Sequence, residues 1–396
     1  MAAGIYIHIP FCKSRCSYCD FATDVYRDSG AVERYVAALC EEIRVRTACV
    51  SGRNELAPED GLCQSGAPPA HAGGSDFDTI YFGGGTPSLL APKQVERILD
   101  AVRSTCDISP DAEITMEMNP ATVTPESLAR FRELGINRAS FGVQTFNDRA
   151  LKLLARGHDA NDARNTFRML REAGFENVSF DLIAGLPGQR MDDWTTNLDE
   201  AIMMSPEHLS LYLLEIHEST PLAEQIRSGR QPTPDPELAA EMYELMLDRL
   251  AAAGYQQYEI SNFSKPGFES RHNTKYWRLD PVYGFGVSAH SFDGRQRYAN
   301  ERDTAKYVEM IENSGSSEVL REDIDLASEH VFLGLRLSEG IDLETYRKTF
   351  DQDLLVEHAE GVARLESAGL VDTDSEKMRL TGKGKLFSNE VFSEFV

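Results

Sequence analysis

Apolar residues along this chain follow two periods that take turns. Short strand-like runs occur at 4–9, 78–82, 112–118, 138–143, 177–183 and 208–214. Between them, apolar residues three and four apart predict amphipathic helices. The first spans 31–46, where Val32, Tyr35, Val36, Leu39, Cys40 and Ile43 form one stripe; others follow at 92–104, 125–134, up to 173, and at 194–204. Strand then helix repeats six times. That alternation predicts parallel strands joined by crossover helices. Six units either curl into three-quarters of a TIM barrel or lie open as a doubly wound sheet. In both arrangements ligands collect at the carboxyl ends of the strands. A cysteine-bearing loop, Gly83-Gly84-Gly85-Thr86-Pro87, Glu117-Met118-Asn119-Pro120, Gln144 and Gly185-Leu186-Pro187-Gly188 all begin at such ends. They are expected to face one mouth.

The pattern lapses twice. Residues 49–76 are rich in Gly, Pro, Ala and Ser without a period, which predicts a surface insertion over 48–77. Cys49 and Cys63 in it are read as incidental thiols. A proline-rich linker then follows Gln231, at 232–237. Beyond it, 238–253 reads as a helix, 255–260 as a strand, 270–290 as irregular and aromatic, and 302–312 as a helix. From 316 the chain reads as three short helices (326–336, 343–350, 354–368), a strand at 378–380 and a last helix at 382–392. The expected organisation is a barrel over 1–230, a middle segment over 231–315 and a winged-helix-like α+β extension over 316–396.

Composition narrows the function. Forty Lys+Arg against 64 Asp+Glu give the 396-residue chain a formal charge of −24, the wrong sign for a nucleic-acid partner. No run approaches the ~20 apolar residues of a membrane span. A basic region followed by an apolar core is missing at the N-terminus, so no signal peptide and a cytoplasmic setting are expected. Seven cysteines, three of them within eight residues, favour metal or redox chemistry over a disulfide framework. Charge and composition leave the assembly open between monomer and homodimer.

Those three are Cys12, Cys16 and Cys19, spaced C-x3-C-x2-C. Four thiolates close a metal site; three leave a corner open, as on a cubane iron–sulfur cluster with one non-protein ligand. The bland alternative is a structural zinc, for which His8 or Asp20 is the nearest fourth ligand. The glycine run after a strand is either a turn needing positive φ or backbone that must approach a ligand closely. Glu117, Gln144, Arg156 and Asp181 follow at successive strand ends. Singly each is a capping or surface residue. Together they form a polar ring suited to a ligand with a carboxylate, an ammonium and a ribose. S-adenosylmethionine has all three.

On these motifs the chain resembles the radical S-adenosylmethionine superfamily. The resemblance is strongest to the branch of oxygen-independent coproporphyrinogen III oxidase and its relatives. The matching stretches are Y-x-H-I-P-F-C (6–12), GGGTP (83–87), E-x-N-P (117–120), GVQ-x-F (142–146), DLI-x-GLPGQ (181–189) and L-T-x-x-G (380–384). The resemblance implies an α/β fold, the TIM-like partial (β/α)6 radical SAM barrel. It implies that Cys12, Cys16 and Cys19 hold a [4Fe–4S] cluster whose free iron S-adenosylmethionine chelates. Tyr6, Gly84, Gly85, Thr86, Glu117, Gln144, Arg156, Asp181 and Ile183 match positions lining that cofactor's site.

Two departures separate members of the branch. The decarboxylating oxidase carries a further cysteine two residues after the triplet, where this chain has Phe21, and an extension ahead of the tyrosine, where only five residues precede Tyr6. Residues 271–277, RHNTKYW, fit the H-N-x-x-Y-W of the branch's heme-chaperone members. Read from the residues alone, His272 offers an imidazole to iron, and Tyr276 and Trp277 a flat apolar surface. The equal alternative is a packed aromatic turn. Tyr283 and His290 are secondary ligand candidates; His158, His208 and His217 are read as structural. The resulting expectation is a heme chaperone that binds heme, a [4Fe–4S] cluster and S-adenosylmethionine and passes heme to an acceptor protein. The rival expectation is a radical enzyme acting on a porphyrinogen.

Overall fold

The computed structural model describes residues 2–26, 28–51 and 76–395. The insertion expected over 48–77 begins inside a helix, since α1 (Ser29–Ser51) follows β1 (Ala3–Ile9) and extends past 46; residues 52–75 lie outside the described residues. The alternation then continues as β2 (Phe77–Gly84), α2 (Pro92–Thr105), β3 (Ile108–Met118), α3 (Pro125–Glu133) and β4 (Arg138–Gln144). After it come α4 (Asp148–Leu153), α5 (Ala160–Glu172), β5 (Asn177–Ala184), α6 (Met191–Met204) and β6 (His208–Leu213). All six strands pair in parallel, in chain order.

The strands alternate in a way buried parallel sheets usually do not. One face is apolar: Ile5, Ile7 and Ile9, Ile80 and Phe82, Met116, Phe141, Phe180 and Leu209 join the core packed under the helices. The other face is polar. The register sets Tyr6 beside Tyr81, Tyr81 beside Thr115, and Thr115 beside Arg138. Further along, Ser179 lies beside His208, and Asp181 beside Ser210. The sheet therefore wraps a polar interior, and every polar group on that face needs a partner or a ligand.

Sequence periodicity misread 270–290 as irregular. After α7 (Pro221–Arg227), α8 (Pro236–Ala252), β7 (Gln256–Gln257) and β8 (Asn262–Ser264), that stretch forms α9 (Arg271–Trp277) and β9 (Val282–Phe285). β9 is a seventh parallel strand, on the free edge of β1. Seven helical residues and a four-residue strand with an internal glycine are too short for a period to show. The turn after β9 leads to β10 (His290–Phe292), β11 (Gln296–Asn300), α10 (Thr304–Ser314) and β12 (Glu318–Asp323). Among the described residues the strand order is β12-β11-β10-β9-β1-β2-β3-β4-β5-β6-β8-β7.

Buried Glu42 of α1 ties this edge together, accepting from Gly286 N (2.8 Å) and the Tyr307 hydroxyl (2.7 Å). The remaining chain forms short helices around a three-stranded antiparallel sheet of Ile341–Asp342, Lys377–Leu380 and Val371–Thr373. Their core of Val331, Ile341, Tyr346, Leu354, Met378 and Val391 is separate from the barrel core. The Arg336 guanidinium stacks 4.2 Å over Trp277, and Lys385 reaches Gln257 and Ser338 (2.8 Å each), fastening this part beneath α9. Among the described residues no helix is long and apolar enough to cross a membrane.

Candidate functional site

The carboxyl ends of the strands gather the cysteine loop and most of the predicted site. Cys12 ends a short ribbon in which Phe11–Cys12 pairs with Asp24–Val25. The loop between is anchored from several sides: Ser17 N donates to Leu154 O (2.9 Å), Leu222 N to Ser17 O (2.8 Å), and Ser219 Oγ to Asp20 Oδ1 (2.8 Å). All three cysteines are free thiols of intermediate burial. Burial pushes the Cys12 thiol up to about 11, against the Thr86 hydroxyl, which favours its thiolate. Burial raises Cys19 as well.

A chain of donors links two of the sulfurs. Thr86 Oγ1 donates to Cys12 Sγ (3.6 Å) and accepts from Asn119 Nδ2 (2.7 Å). Arg156 donates to Asn119 Oδ1 (2.6 Å), to Gly142 O (2.7 Å) and to Cys16 Sγ (3.4 Å). Its Nε is buried with no partner among the described residues. Donors aimed at sulfur favour thiolate over thiol. Asn119 has this role although the sequence reading gave it none; its signal was its place in the E-x-N-P stretch.

The glycine run is explained by its neighbours. Gly84 sits at φ 107°, and a Cβ there would lie 2.7 Å from the His8 ring; at Gly85 it would lie 2.7 Å from the Pro10 carbonyl. Side chains are excluded where β2 meets β1 under the cysteine loop. His8 spans that junction, its Nδ1 pairing with Tyr6 Oη (3.1 Å) and its Nε2 with Ala22 O (2.9 Å).

Glu117 and Asp181 face the interior, half-buried. Glu117 accepts from Tyr81 Oη (2.8 Å) and Gly84 N (3.1 Å). Burial pushes its carboxyl up to about 7, the Tyr81 bond opposing and the Asp181 charge reinforcing the rise. Burial likewise takes Asp181 up to about 6 against Ser210, Arg138 and Arg156. Gln144 holds a positive φ of 68° at the end of β4, a strain that non-glycine residues carry mostly at functional positions. Ile183 packs with Leu154 and Leu186 against Tyr18 of the cysteine loop.

The mouth suits a cubane cluster better than one metal ion. Among the described residues no three His, Cys, Asp or Glu side chains converge on a single ion position. A cubane takes one thiolate per iron and asks for no such convergence. Of the two zinc candidates, His8 has both nitrogens engaged, and Asp20 accepts from Ser219 through one of its two carboxylate oxygens.

His272 is not at this mouth. α9 closes the opposite, amino-terminal end, where Glu113 accepts from the backbone N–H of Arg271 and of His272 (3.1 Å each) and Lys275 donates to Ala2 O (2.6 Å). The His272 ring is 1% exposed. Its Nδ1 pairs with Thr79 Oγ1 (2.9 Å) and its Nε2 with Tyr276 Oη (3.2 Å). Tyr81 stacks on it at 5.0 Å. Burial drives its pKa down to about 3, with Lys275 and Arg138 adding to the fall. Both nitrogens of the imidazole expected from the sequence to be offered to iron are thus paired within the protein here. Tyr276 is exposed with its hydroxyl tied to the same bond, and Trp277 lies under Arg336.

Comparison with known proteins places this geometry. Residues 70–201 match the radical SAM superfamily model, and residues 322–387 the HemN C-terminal domain model. The heme chaperone HemW of Bacillus subtilis (strain 168) is 35% identical over 99% of this chain and 98% of its own length. HemW of Mycobacterium tuberculosis is 35% identical over 98% of this chain and 93% of its own. The structure of Escherichia coli coproporphyrinogen III oxidase (HemN) superimposes with a TM-score of 0.83 at 24% identity, covering 100% of this chain and 90% of that one. That likeness establishes the partial-barrel fold.

Proposed function

The chain belongs to the family of the heme chaperone HemW, within the radical SAM superfamily, and from that premise we propose that it binds heme and hands it to acceptor proteins. Similarity at full length carries the reading: the Bacillus subtilis HemW matches 99% of the chain. Phe21, standing where the resemblance implies a cysteine in the decarboxylating oxidase, supports the same choice.

In this reading Cys12, Cys16 and Cys19 each take one iron of a [4Fe–4S] cluster, and the amino and carboxylate groups of S-adenosylmethionine take the open corner. Together those two groups supply one-electron reductive chemistry when bound. The protein's own part is orientation and charge. Thr86 and Arg156, joined by Asn119, donate to the sulfurs of Cys12 and Cys16. Glu117, with Tyr81 behind it, and Asp181 offer acceptors to an ammonium or to ribose hydroxyls. The backbone of Gly84 and Gly85, Tyr6 and Gln144 supply the remaining polar contacts, and Ile183 an apolar one. An acidic cytoplasmic protein with a heme cargo and a protein acceptor fits the charge and the absence of a long apolar helix among the described residues.

Titration of the full-length protein with ferric heme, followed at the Soret band, tests the reading. Saturable binding with a shifted band is expected; a spectrum identical to free heme at every ratio overturns it. The completeness of the mouth favours a second reading, a radical enzyme. Anaerobic incubation with dithionite, S-adenosylmethionine and coproporphyrinogen III separates the two, because formation of protoporphyrinogen reverses the preference.

A further inference from the structure

Arg138 lies inside the barrel without a partner. It is 1% exposed. Among the described residues it makes no hydrogen bond and no ion pair within 4.0 Å, and its Nε is fully buried and unsatisfied. Arginine is almost never buried to that degree unless paired, because an unpaired charge costs too much to desolvate. Arg46 of α1 is the usual case, held by Glu42 at 2.7 Å.

The neighbours of Arg138 in the sheet are unsatisfied too. Register sets Thr115 of β3 beside Arg138 of β4, and Arg138 beside Asn177 of β5. The next residue along each strand, Met116, Ala139 and Val178, belongs to the core under the helices. Successive side chains of a strand alternate between faces, so the row of three faces the polar interior. Thr115 Oγ1 and Asn177 Oδ1 are buried with no partner among the described residues. Three adjacent strands thus present unsatisfied polar atoms at one level of the barrel, where isolated exceptions are the norm.

The carboxylates nearest along the strand are committed elsewhere. Glu113, two residues before Thr115, gives one oxygen to Arg271 N and the other to His272 N (3.1 Å each). Glu117, two residues after it, accepts from Tyr81 Oη and Gly84 N. The row also stands apart from the ring assigned to S-adenosylmethionine. Asp181 lies four residues beyond Asn177 on β5, roughly 13 Å at ~3.3 Å per residue. Towards the amino-terminal end the row adjoins a cavity of about 740 Å³, lined by Asn177 itself and by Glu113, Asn137 and Tyr258.

We propose that Thr115, Arg138 and Asn177 form an oxyanion site that takes the carboxylate of a ligand held in this cavity. The guanidinium offers paired N–H donors matched to a carboxylate. The Thr115 hydroxyl adds a donor, and the Asn177 amide adds another when its nitrogen turns inward. The carboxylate comes from a propionate of heme or from a separate small acid, which present the same group. Only the heme source rests on the reading above.

The test adds sodium propionate to the full-length protein, with sodium chloride at equal ionic strength as control, and reads the thermal unfolding midpoint. Propionate should raise the wild-type midpoint saturably and chloride should not. Arg138→Met should abolish the rise, and Thr115→Val should weaken the apparent affinity about tenfold, the worth of one hydrogen bond to a charged group. Without propionate, Arg138→Met should melt no lower than wild type, because it removes a buried charge that has no partner. A variant melting well below wild type makes Arg138 structural and overturns the proposal. No rise in wild type, an equal rise with chloride, or a rise that survives Arg138→Met overturns it as well. Repeating the series with ferric heme separates the sources: loss of the propionate effect assigns the site to a heme carboxylate, and its persistence assigns it to a small acid. A protein that binds propionate and no heme overturns the heme reading and leaves the site standing.

Discussion

The two ends of the barrel are both lined by charged and hydrogen-bonding side chains, yet they differ in how those groups are satisfied. At the amino-terminal end Glu113 accepts two backbone N–H groups, His272 and His208 use both nitrogens, and Lys275 is held by Ala2 O, while Arg138 Nε, Thr115 Oγ1, Asn177 Oδ1 and Trp277 Nε1 have no partner among the described residues. At the carboxyl end two thiols, Cys12 and Cys16, have donors aimed at them, Arg156 Nε is orphaned, and two carboxyls are held neutral to higher pH. Orphaned polar atoms occur at both ends, so what sets the carboxyl end apart is its thiols and its two raised carboxyls. Histidine with nearby aromatics is weak evidence of a ligand site until the partners of its nitrogens are known.

Substitutions should separate the ends. The largest effect is expected from Cys16→Ala, which removes one iron ligand: anaerobically reconstituted protein should fall from about four iron and four sulfide per chain to almost none. Retention of a full complement would move the cluster elsewhere. At the other end, Glu113→Ala leaves two helix N–H groups without an acceptor and should cost about 2–3 kcal/mol in urea unfolding, with the cluster content unchanged. A loss of cluster at full stability would contradict the division of roles.

A smaller effect is expected from Arg156→Lys. Lysine cannot span Asn119, Gly142 and Cys16 at once. Iron and sulfide should persist while S-adenosylmethionine affinity, measured by calorimetry, falls roughly tenfold, the equivalent of one charged hydrogen bond. Unchanged affinity would remove Arg156 from the ligand site.

The smallest effect is a pH slope. The folded-state pKa of Glu117 is about 7 against 4.5 for an unperturbed carboxyl, and that of Asp181 about 6 against 3.8. Raised acids bind protons better folded than unfolded, so the stability they contribute is complete below the unfolded values and is lost as pH rises through the folded ones. The urea midpoint of the ligand-free protein should fall between pH about 4 and about 7, and Glu117→Gln should flatten the fall. An equal slope in that variant would assign it to other groups.

Much of this was legible in sequence. The six strands fall within a few residues of expectation because each is an apolar run bounded by turn residues. The polar interior was legible in principle, since AEITMEM and NVSFDLI alternate where a fully buried parallel strand would not, but the partners of Glu113 and His208 come from distant elements. β9 and α9 were missed for want of length. The cysteine triplet needed only spacing. The burial of His272 and the pairing of both its nitrogens were not legible, because a motif shows which residues are near in sequence and not which nitrogens are free.

The most direct test of the central claim, that the carboxyl end holds a cluster with one open corner, is Mössbauer spectroscopy of the iron-57 reconstituted protein before and after S-adenosylmethionine is added. One iron of four should change its isomer shift on addition while three stay fixed. Four equivalent irons indifferent to S-adenosylmethionine, or protein that takes up zinc and no sulfide, would contradict it.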